Sequence, residues 1–440
     1  MVYLQDIKLT NFKCFEETST LDFGKLTLLT GANSTGKSSL MYGILGVLQS
    51  EEFPLRFSPN GNYVQMGNFL EMVFKHDSGK DICVAFTLVD SETNENLHMD
   101  TQWRCDSAGN PQLKRCDCEG DFFHYVVVEA DDSGKLILNL DVDPSKGKKK
   151  SEIESLLKYV NSEAPSDVEL VRYLRYATKE SHIKDFKVGS FSSDTKEEVR
   201  YPFLFVLHET MSMIRRYNDN VNYISSYRQP AQRVYAEERV TSGKISTSGE
   251  GFINELLRWK DDSQDKFAQF VDAMKTIGLL SDIEPTRLGA GQFKVDVRVN
   301  DADGLANLSD VGFGISQAMP IIIGDVELSK GSTLYISQPE VHLHPSAQAK
   351  LGDYLVKQIN HGKRYVMETH SEYLMNRLRL SIVRGTIAED DVKVYYMRQE
   401  GGKTHIHKVK FKKNGQVEGA PQDFFDTYMI DVMDIAMSVR

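Results

Sequence analysis

The segment of this chain best equipped for chemistry is Gly31-Ala32-Asn33-Ser34-Thr35-Gly36-Lys37-Ser38, which satisfies G-x-x-x-x-G-K-[ST] at every fixed position. Glycines at those points let the backbone curl until successive N–H groups face a single anion, the arrangement that cradles phosphate. Lys37 then reaches the β- and γ-phosphates, and the Ser38 hydroxyl is placed to ligate Mg²⁺. A helix opening at the loop adds the positive end of its dipole. Asn33, Ser34, Thr35, Gly36, Lys37, Ser38 and Ser39 are therefore the expected nucleotide contacts. The bland alternative is a glycine-rich turn that matches by coincidence. The apolar strand before the loop and the helix after it argue for the phosphate reading.

Three clusters far downstream also carry polar residues at element ends. Leu308-Ser309-Asp310-Val311-Gly312-Phe313-Gly314-Ile315-Ser316-Gln317 sets small residues and a serine before an apolar helix, a second anion-binding start. Thr333-Leu334-Tyr335-Ile336-Ser337-Gln338-Pro339-Glu340-Val341-His342-Leu343-His344-Pro345 is an apolar strand running into a polar tip, where α/β sheets place their chemistry. Tyr365-Val366-Met367-Glu368-Thr369-His370-Ser371-Glu372 is another strand, ending in a histidine. A histidine at a strand tip is commonly just a hydrogen-bonded side chain. Three such clusters in this order after a phosphate loop carry more weight than any one.

These side chains need elements to hold them. Residues 3–10 and 21–30 read as strands, 38–49 as a helix, and 70–90, 97–105 and 122–141 as further strands joined by Asp/Ser/Gly turns, which predicts an antiparallel sheet. A charged linker at 143–150 follows, then helix-period runs at 151–160, 167–179 and 202–217. No heptad pattern persists and no fixed-period repeat is present. From residue 268 strands and helices alternate again, with apolar strands at 333–336 and 364–367, the mark of a parallel sheet with crossover helices. The two α/β pieces are expected to form one domain interrupted by the helical middle.

Composition limits what such a site can serve. The 440 residues carry 52 Lys plus Arg against 63 Asp plus Glu, a net charge of −11, which excludes a protein that wraps nucleic acid over its whole surface. A local basic patch remains open: Lys148-Lys149-Lys150, Arg215-Arg216, and Lys408, Lys410, Lys412 and Lys413 along a C-terminal strand. A lysine-guarded strand edge explains that last set equally well. No apolar run approaches the roughly 20 residues of a membrane span, no secretory h-region opens the chain, and a cytoplasmic setting is expected. The five cysteines are expected to be reduced thiols. Cys105, Cys116, Cys118 and His124 are spaced poorly for zinc.

The ordered motifs resemble the ABC-type ATPase heads of SMC, RecF and OLD proteins. They are most similar to stand-alone AAA-annotated ATPases with a QPE-x-HLHP block (Gln338 to Pro345) and a THSEYL block (Thr369 to Leu374). Leu9, Asn11, Phe12, Lys13 and Phe15, and Tyr227-Arg228-Gln229-Pro230 before Gly249-Glu250-Gly251, fit as well. The resemblance covers roughly residues 1–95 and 225–440. It implies an α/β ABC-ATPase head, a mixed β lobe plus a parallel-sheet RecA-like core, formed by both ends of the chain around a mainly helical insertion. The corresponding divisions are 1–143, 144–225 and 226–440. It further implies a dimer around two ATP molecules with Mg²⁺, each ATP lying between one loop and the signature residues Gly312, Gly314, Ser316 and Gln317 of the other subunit. His370 would be the switch histidine at the γ-phosphate. Gln65 is the Q-loop candidate touching Mg²⁺ and water, or equally an exposed turn glutamine. His342 and His344, two apart near Glu340, are expected to serve packing and interface hydrogen bonds rather than a metal.

The chain departs from that family at its centre. Where ABC-type heads carry a Walker B acid and a catalytic glutamate, it has Ser337 and Gln338. Serine can ligate Mg²⁺ without charge, and glutamine can orient water but takes no proton. Glu340 is the nearest substitute base or water contact. Loss of a general base typically costs about 10²–10⁴ in rate, so slow turnover is expected. The 70 residues after His370 hold no D-x-D, so a nuclease activity is expected from a separate protein. Three roles follow. One is an ATP-gated sensor or scaffold of an anti-phage system similar to Septu-like ATPases, controlling a separately encoded effector nuclease. The others are a DNA-binding maintenance ATPase of RecF or SMC kind on duplex DNA, and a non-hydrolysing ATP-locked scaffold. No membrane partner is expected.

Overall fold

A computed structural model describes residues 1–129, 136–142, 197–238, 244–421 and 424 of the protein. The charged linker with Lys148-Lys149-Lys150 and the helical runs at 151–160 and 167–179 lie outside the described residues. The chain divides into two compact units: Met1–Asp22 with Tyr42–Asp219, and Phe23–Met41 with Asn220–Arg440.

The second unit is built on a seven-stranded sheet. Its elements run in chain order β1 (Leu26–Gly31), α1 (Lys37–Leu48, which continues past the unit's boundary), β2 (Val221–Ile224), α2 (Phe313–Glu327), β3 (Thr333–Ser337), α3 (Pro345–Asn360), β4 (Arg364–Glu368), α4 (Glu372–Val383), β5 (Val392–Glu400), β6 (Lys403–Phe411) and β7 (Val417–Glu418). The spatial order is β2-β3-β4-β1-β5-β6-β7. The first five of these strands pair in parallel, and β6 and β7 close the edge antiparallel. Every residue of β1, β2 and β3 is buried, as expected of parallel strands covered on both faces. Leu28, Ile224, Ile336 and Met367 of the sheet share one core with Met319, Ile322, Leu355 and Leu374 of the helices. Parallel pairing sets the C-terminal tips of β3, β4 and β1 side by side, with Ser337 opposite Glu368 and Glu368 opposite Leu29. A smaller antiparallel sheet, with Asp282–Gly289 and Gln292–Arg298 as its main pair, precedes α2.

The first unit is an eight-stranded antiparallel sheet. Its strands alternate buried and half-exposed side chains, as in Ile82–Asp90. The helix Glu197–Asp219 belongs to the same unit, and its Arg216 donates to the buried Asp90, which also receives the amino terminus of Met1. The sheet expected from the turn-punctuated runs is present.

Four expectations need correction. The strand read over 70–90 begins as a helical turn, Phe69–Met72. A reciprocal capping box between Asn68 and Glu71 satisfies the backbone there, and the strand starts only at Ile82. The division read at 226 falls at Asn220, because Val221–Ile224 is a strand of the parallel sheet, too short for periodicity to reveal. Phe23–Met41 groups with the C-terminal half rather than with 1–143, since β1 takes its neighbours β4 and β5 from that half. Of the four C-terminal lysines, only Lys408 and Lys410 lie on β6, where both are exposed. Lys412 lies past its end, with Glu389 and Glu418 at 3.8 and 3.4 Å. No described helix is long and apolar enough to cross a membrane.

Candidate functional site

The phosphate loop follows from the tip of β1. Gly31 has φ 133°, and a Cβ there would lie 2.1 Å from the Met397 carbonyl oxygen of β5, so only glycine fits. Ser34 at φ 62° and Gly36 at φ 98° complete the curl. Thr35 is buried and donates to the Ala32 carbonyl at 2.9 Å. The loop is also held from the β5–β6 hairpin: Gln399 donates to the Ser34 carbonyl at 3.2 Å, and Thr404 to the Thr35 carbonyl at 3.0 Å. Ala32, Asn33 and Ser34 are exposed, and the first turn of α1 contains no acidic residue to compete with an anion. The first N–H groups of a helix have no intrahelical acceptor, so a phosphate finds donors here.

Lys37 is 3% exposed, and its ammonium donates to the carbonyls of Gly31 at 3.1 Å and Ala32 at 2.6 Å. Burial lowers its pKa, while the charges of Glu368 and Glu340 oppose that shift. Ser38 donates to Glu368 Oε2 at 2.6 Å, joining the start of α1 to the tip of β4. Glu368 is 5% exposed, and among the described residues Ser38 is the only hydrogen-bond donor to its carboxylate.

Around this pair the strand tips interlock. Gln338 takes φ 48°, unusual for a residue with a side chain, while its N–H donates to the Glu368 carbonyl at 2.8 Å. Glu340 accepts from the His370 backbone N–H at 2.6 Å and the Thr369 hydroxyl at 2.9 Å. Burial raises the Glu340 pKa against those hydrogen bonds. His370 is exposed as a residue, and its pKa is lowered by partial desolvation and by the charge of Lys37. Ser371 caps α4 and donates to Gln348 of α3, which in turn donates to the Leu343 carbonyl. Ser337 is buried, and its hydroxyl shares a hydrogen bond with the Tyr223 hydroxyl at 3.3 Å.

Arg228 ties the β3 tip to α2. Its guanidinium donates to the carbonyls of Ser337 (2.7 Å), Gln338 (3.0 Å) and Gln317 (3.4 Å). Burial pulls its pKa down to about 10, while the charge of Glu340 opposes that. At the start of α2, Gly312 and Phe313 are exposed, and a Cβ at Gly314 would lie 2.5 Å from the His342 carbonyl oxygen. Ser316 and Gln317 are buried. The serine donates to the Phe313 carbonyl and the glutamine amide to the Arg228 and Gln229 carbonyls, so the structure turns both inward.

The AAA ATPase domain family matches the chain over residues 2–200 and 148–375. The chain belongs to that family. No curated protein sequence matches it significantly. Among solved structures it is similar to the Smc head domain with an extended coiled coil, bound to the C-terminal domain of ScpA, from Pyrococcus furiosus. That match has 11% identity and a TM-score of 0.47 and covers 100% of both chains. It is also similar to the SMC head domain from Thermotoga maritima, at 11% identity and TM-score 0.41 over 92% of this chain and 98% of that one. A third is the Smc head domain with a coiled coil and joint from Pyrococcus yayanosii, at 9% identity and TM-score 0.47 over 99% and 100%.

Within this AAA ATPase domain the structure gathers Lys37, Ser38, Ser337, Gln338, Glu340 and His370 in one unit, at the C-terminal ends of three neighbouring strands of one sheet. Gln65 belongs to the other unit, where it is exposed and donates to the Gly61 carbonyl at 2.8 Å. His342 packs edge-on against Phe313, and His344 caps α3. Among the described residues no group of three or more His, Cys, Asp and Glu could hold a metal ion by itself. Sequence reading missed Glu368 and the bonds of Arg228. A carboxylate one residue before the Thr-His pair, at a strand tip, was the available signal for the first.

Proposed function

We propose that the chain binds ATP with Mg²⁺ at residues 31–39 and hydrolyses it slowly. The observation that carries this reading is the curled loop, open at Ala32–Ser34, with Lys37 and the Ser38–Glu368 pair directly behind it. The donor set fits the ligand: orphan helix N–H groups and Lys37 for phosphate, a hydroxyl and a carboxylate for a hard cation. Bound Mg²⁺ supplies charge neutralisation on the phosphates. Lys37 exchanges its loop carbonyls for phosphate oxygens. Gln338 orients water from its strained tip, and Glu340 holds the Thr369–His370 segment in place. Both Glu340 oxygens are engaged there, so this carboxylate acts as a positioning residue, and the missing acid at 338 accounts for slow turnover.

Around this core we place an ABC-type head that dimerises on ATP, with the exposed start of α2 at Gly312 and Phe313 toward the second subunit. The resemblance to stand-alone defence ATPases supports a role as sensor or scaffold controlling a separately encoded nuclease. Phosphate release by the purified protein with Mg²⁺ and ATP, with and without duplex DNA, tests the reading against a Lys37→Ala control. Turnover lost in the control supports it, and strong stimulation by DNA favours a maintenance role instead. ATP binding without turnover makes the chain a nucleotide-locked scaffold, and no ATP binding at all refutes the reading.

A further inference from the structure

We propose that Glu368, together with Ser38, is the carboxylate that holds the nucleotide's divalent cation, a place that the tip of β3 leaves without an acid. This inference rests on the ATP-binding reading above. Phosphate-loop nucleotide sites hold Mg²⁺ through the loop Ser or Thr and an acid on a nearby strand tip. Here the β3 tip offers Ser337, buried and hydrogen-bonded to Tyr223. In parallel register with it, on the next strand, stands Glu368. Because β4 lies between β3 and β1, Glu368 is one strand nearer the phosphate loop than Ser337. Its Oε2 is 2.6 Å from the Ser38 hydroxyl, which fixes the two oxygen ligands side by side.

The charge balance points the same way. A carboxylate only 5% exposed needs hydrogen bonds or a cation to offset its lost hydration. Among the described residues Glu368 receives one neutral hydroxyl, and the buried ammonium of Lys37, close enough to feel its charge, donates to the Gly31 and Ala32 carbonyls rather than to it. A small dication between Ser38 and Glu368 completes the balance. Mg²⁺ characteristically takes one or two carboxylates and fills its remaining positions with phosphate oxygens and water.

The test measures metal-dependent affinity rather than turnover. ATP binding to the full chain is titrated calorimetrically with Mg²⁺ and with excess chelator, and Mn²⁺ retention with ATP is followed by electron paramagnetic resonance. Glu368→Gln is expected to lose about 10–100-fold of the affinity gained from the metal, while chelator-condition affinity stays within about threefold of wild type. The free Mn²⁺ signal should rise in parallel. An unchanged metal increment in the glutamine variant overturns the assignment. An equal loss with and without metal also overturns it, because the side chain would then serve the loop rather than the ion. Wild-type protein that binds no ATP under either condition refutes the nucleotide reading itself, a different failure.

Discussion

Strand β4 runs between two buried carboxylates that differ in what surrounds them. Beside its first residues, Asp325 of α2 is 1% exposed and accepts from the hydroxyls of Tyr354 at 2.5 Å and Tyr365 at 2.7 Å and from the Lys363 ammonium at 3.0 Å. At the strand's last residue, Glu368 is nearly as buried but, among the described residues, receives a single hydroxyl. The first group is paired in charge and supplied with donors on both oxygens, so it is finished as a structural element. The second is left short, next to a phosphate loop and two backbone positions in left-handed conformation, Ser34 and Gln338. Buried charge that the protein satisfies itself holds the fold, and buried charge left under-supplied marks where something else is meant to bind.

The sharpest way to break this contrast is at the satisfied end. Asp325→Ala leaves two phenols without their acceptor and strips the Lys363 ammonium of its carboxylate partner, leaving it only the residue-325 carbonyl, and should destabilise the fold by about 3–5 kcal/mol in denaturant titration. Glu368→Gln should cost far less, since among the described residues no cation is hydrogen-bonded to that carboxylate. Equal losses at the two ends would end the distinction.

Glu340 sharpens the functional side. Glu340→Ala removes the acceptor of the His370 N–H and the Thr369 hydroxyl, and should lower turnover about 10–100-fold at a stability cost of about 1–3 kcal/mol. Glu340→Gln keeps one carbonyl acceptor and should recover most of that loss without moving the pH–rate profile. A glutamine variant as dead as alanine would make Glu340 a base instead. Gly31→Ala should cost about 1–3 kcal/mol and weaken ATP binding, because its Cβ would strike the Met397 carbonyl of β5 at a φ that suits only glycine.

The smallest effect is in pH. Tyr354 and Tyr365 have pKa values raised well above the usual 10, through burial and the charge of Asp325. Above about pH 10 the unfolded chain releases phenolic protons that the native state keeps, so stability falls as pH rises through that window. Tyr365→Phe should reduce this alkaline slope. His370 shifts the other way: its pKa is lowered, so below about 6.5 the unfolded state takes up a proton first, and stability declines on that side.

How much of this was legible beforehand depended on range. The loop at 31–38 declares itself because its chemistry is local, glycines for the curl and Lys37 and Ser38 at fixed spacing. The polar tips of β3 and β4 were legible for the same reason, since an apolar run that turns polar is visible within ten residues. Gln65 was not placeable, because a lone glutamine in a turn has no local mark, and its own amide is engaged with Gly61 in the first unit. Residues 308–317 run into a helix start, as their local pattern predicts, but only the fold shows Ser316 and Gln317 facing inward toward internal carbonyls.

The sequence by itself therefore determined the phosphate loop, the order of its companion motifs and the α/β class, because each rests on bonds and periods spanning a few neighbours. Tertiary structure alone decided which carboxylate stands behind the loop. Glu368 follows Ser38 by 330 positions and meets its hydroxyl only because β4 pairs beside β1 in a parallel sheet. It decided equally that Ser337 is taken up by Tyr223 and that Arg228 bridges β3 and α2, since strand order and register set those encounters and leave no trace in local spacing.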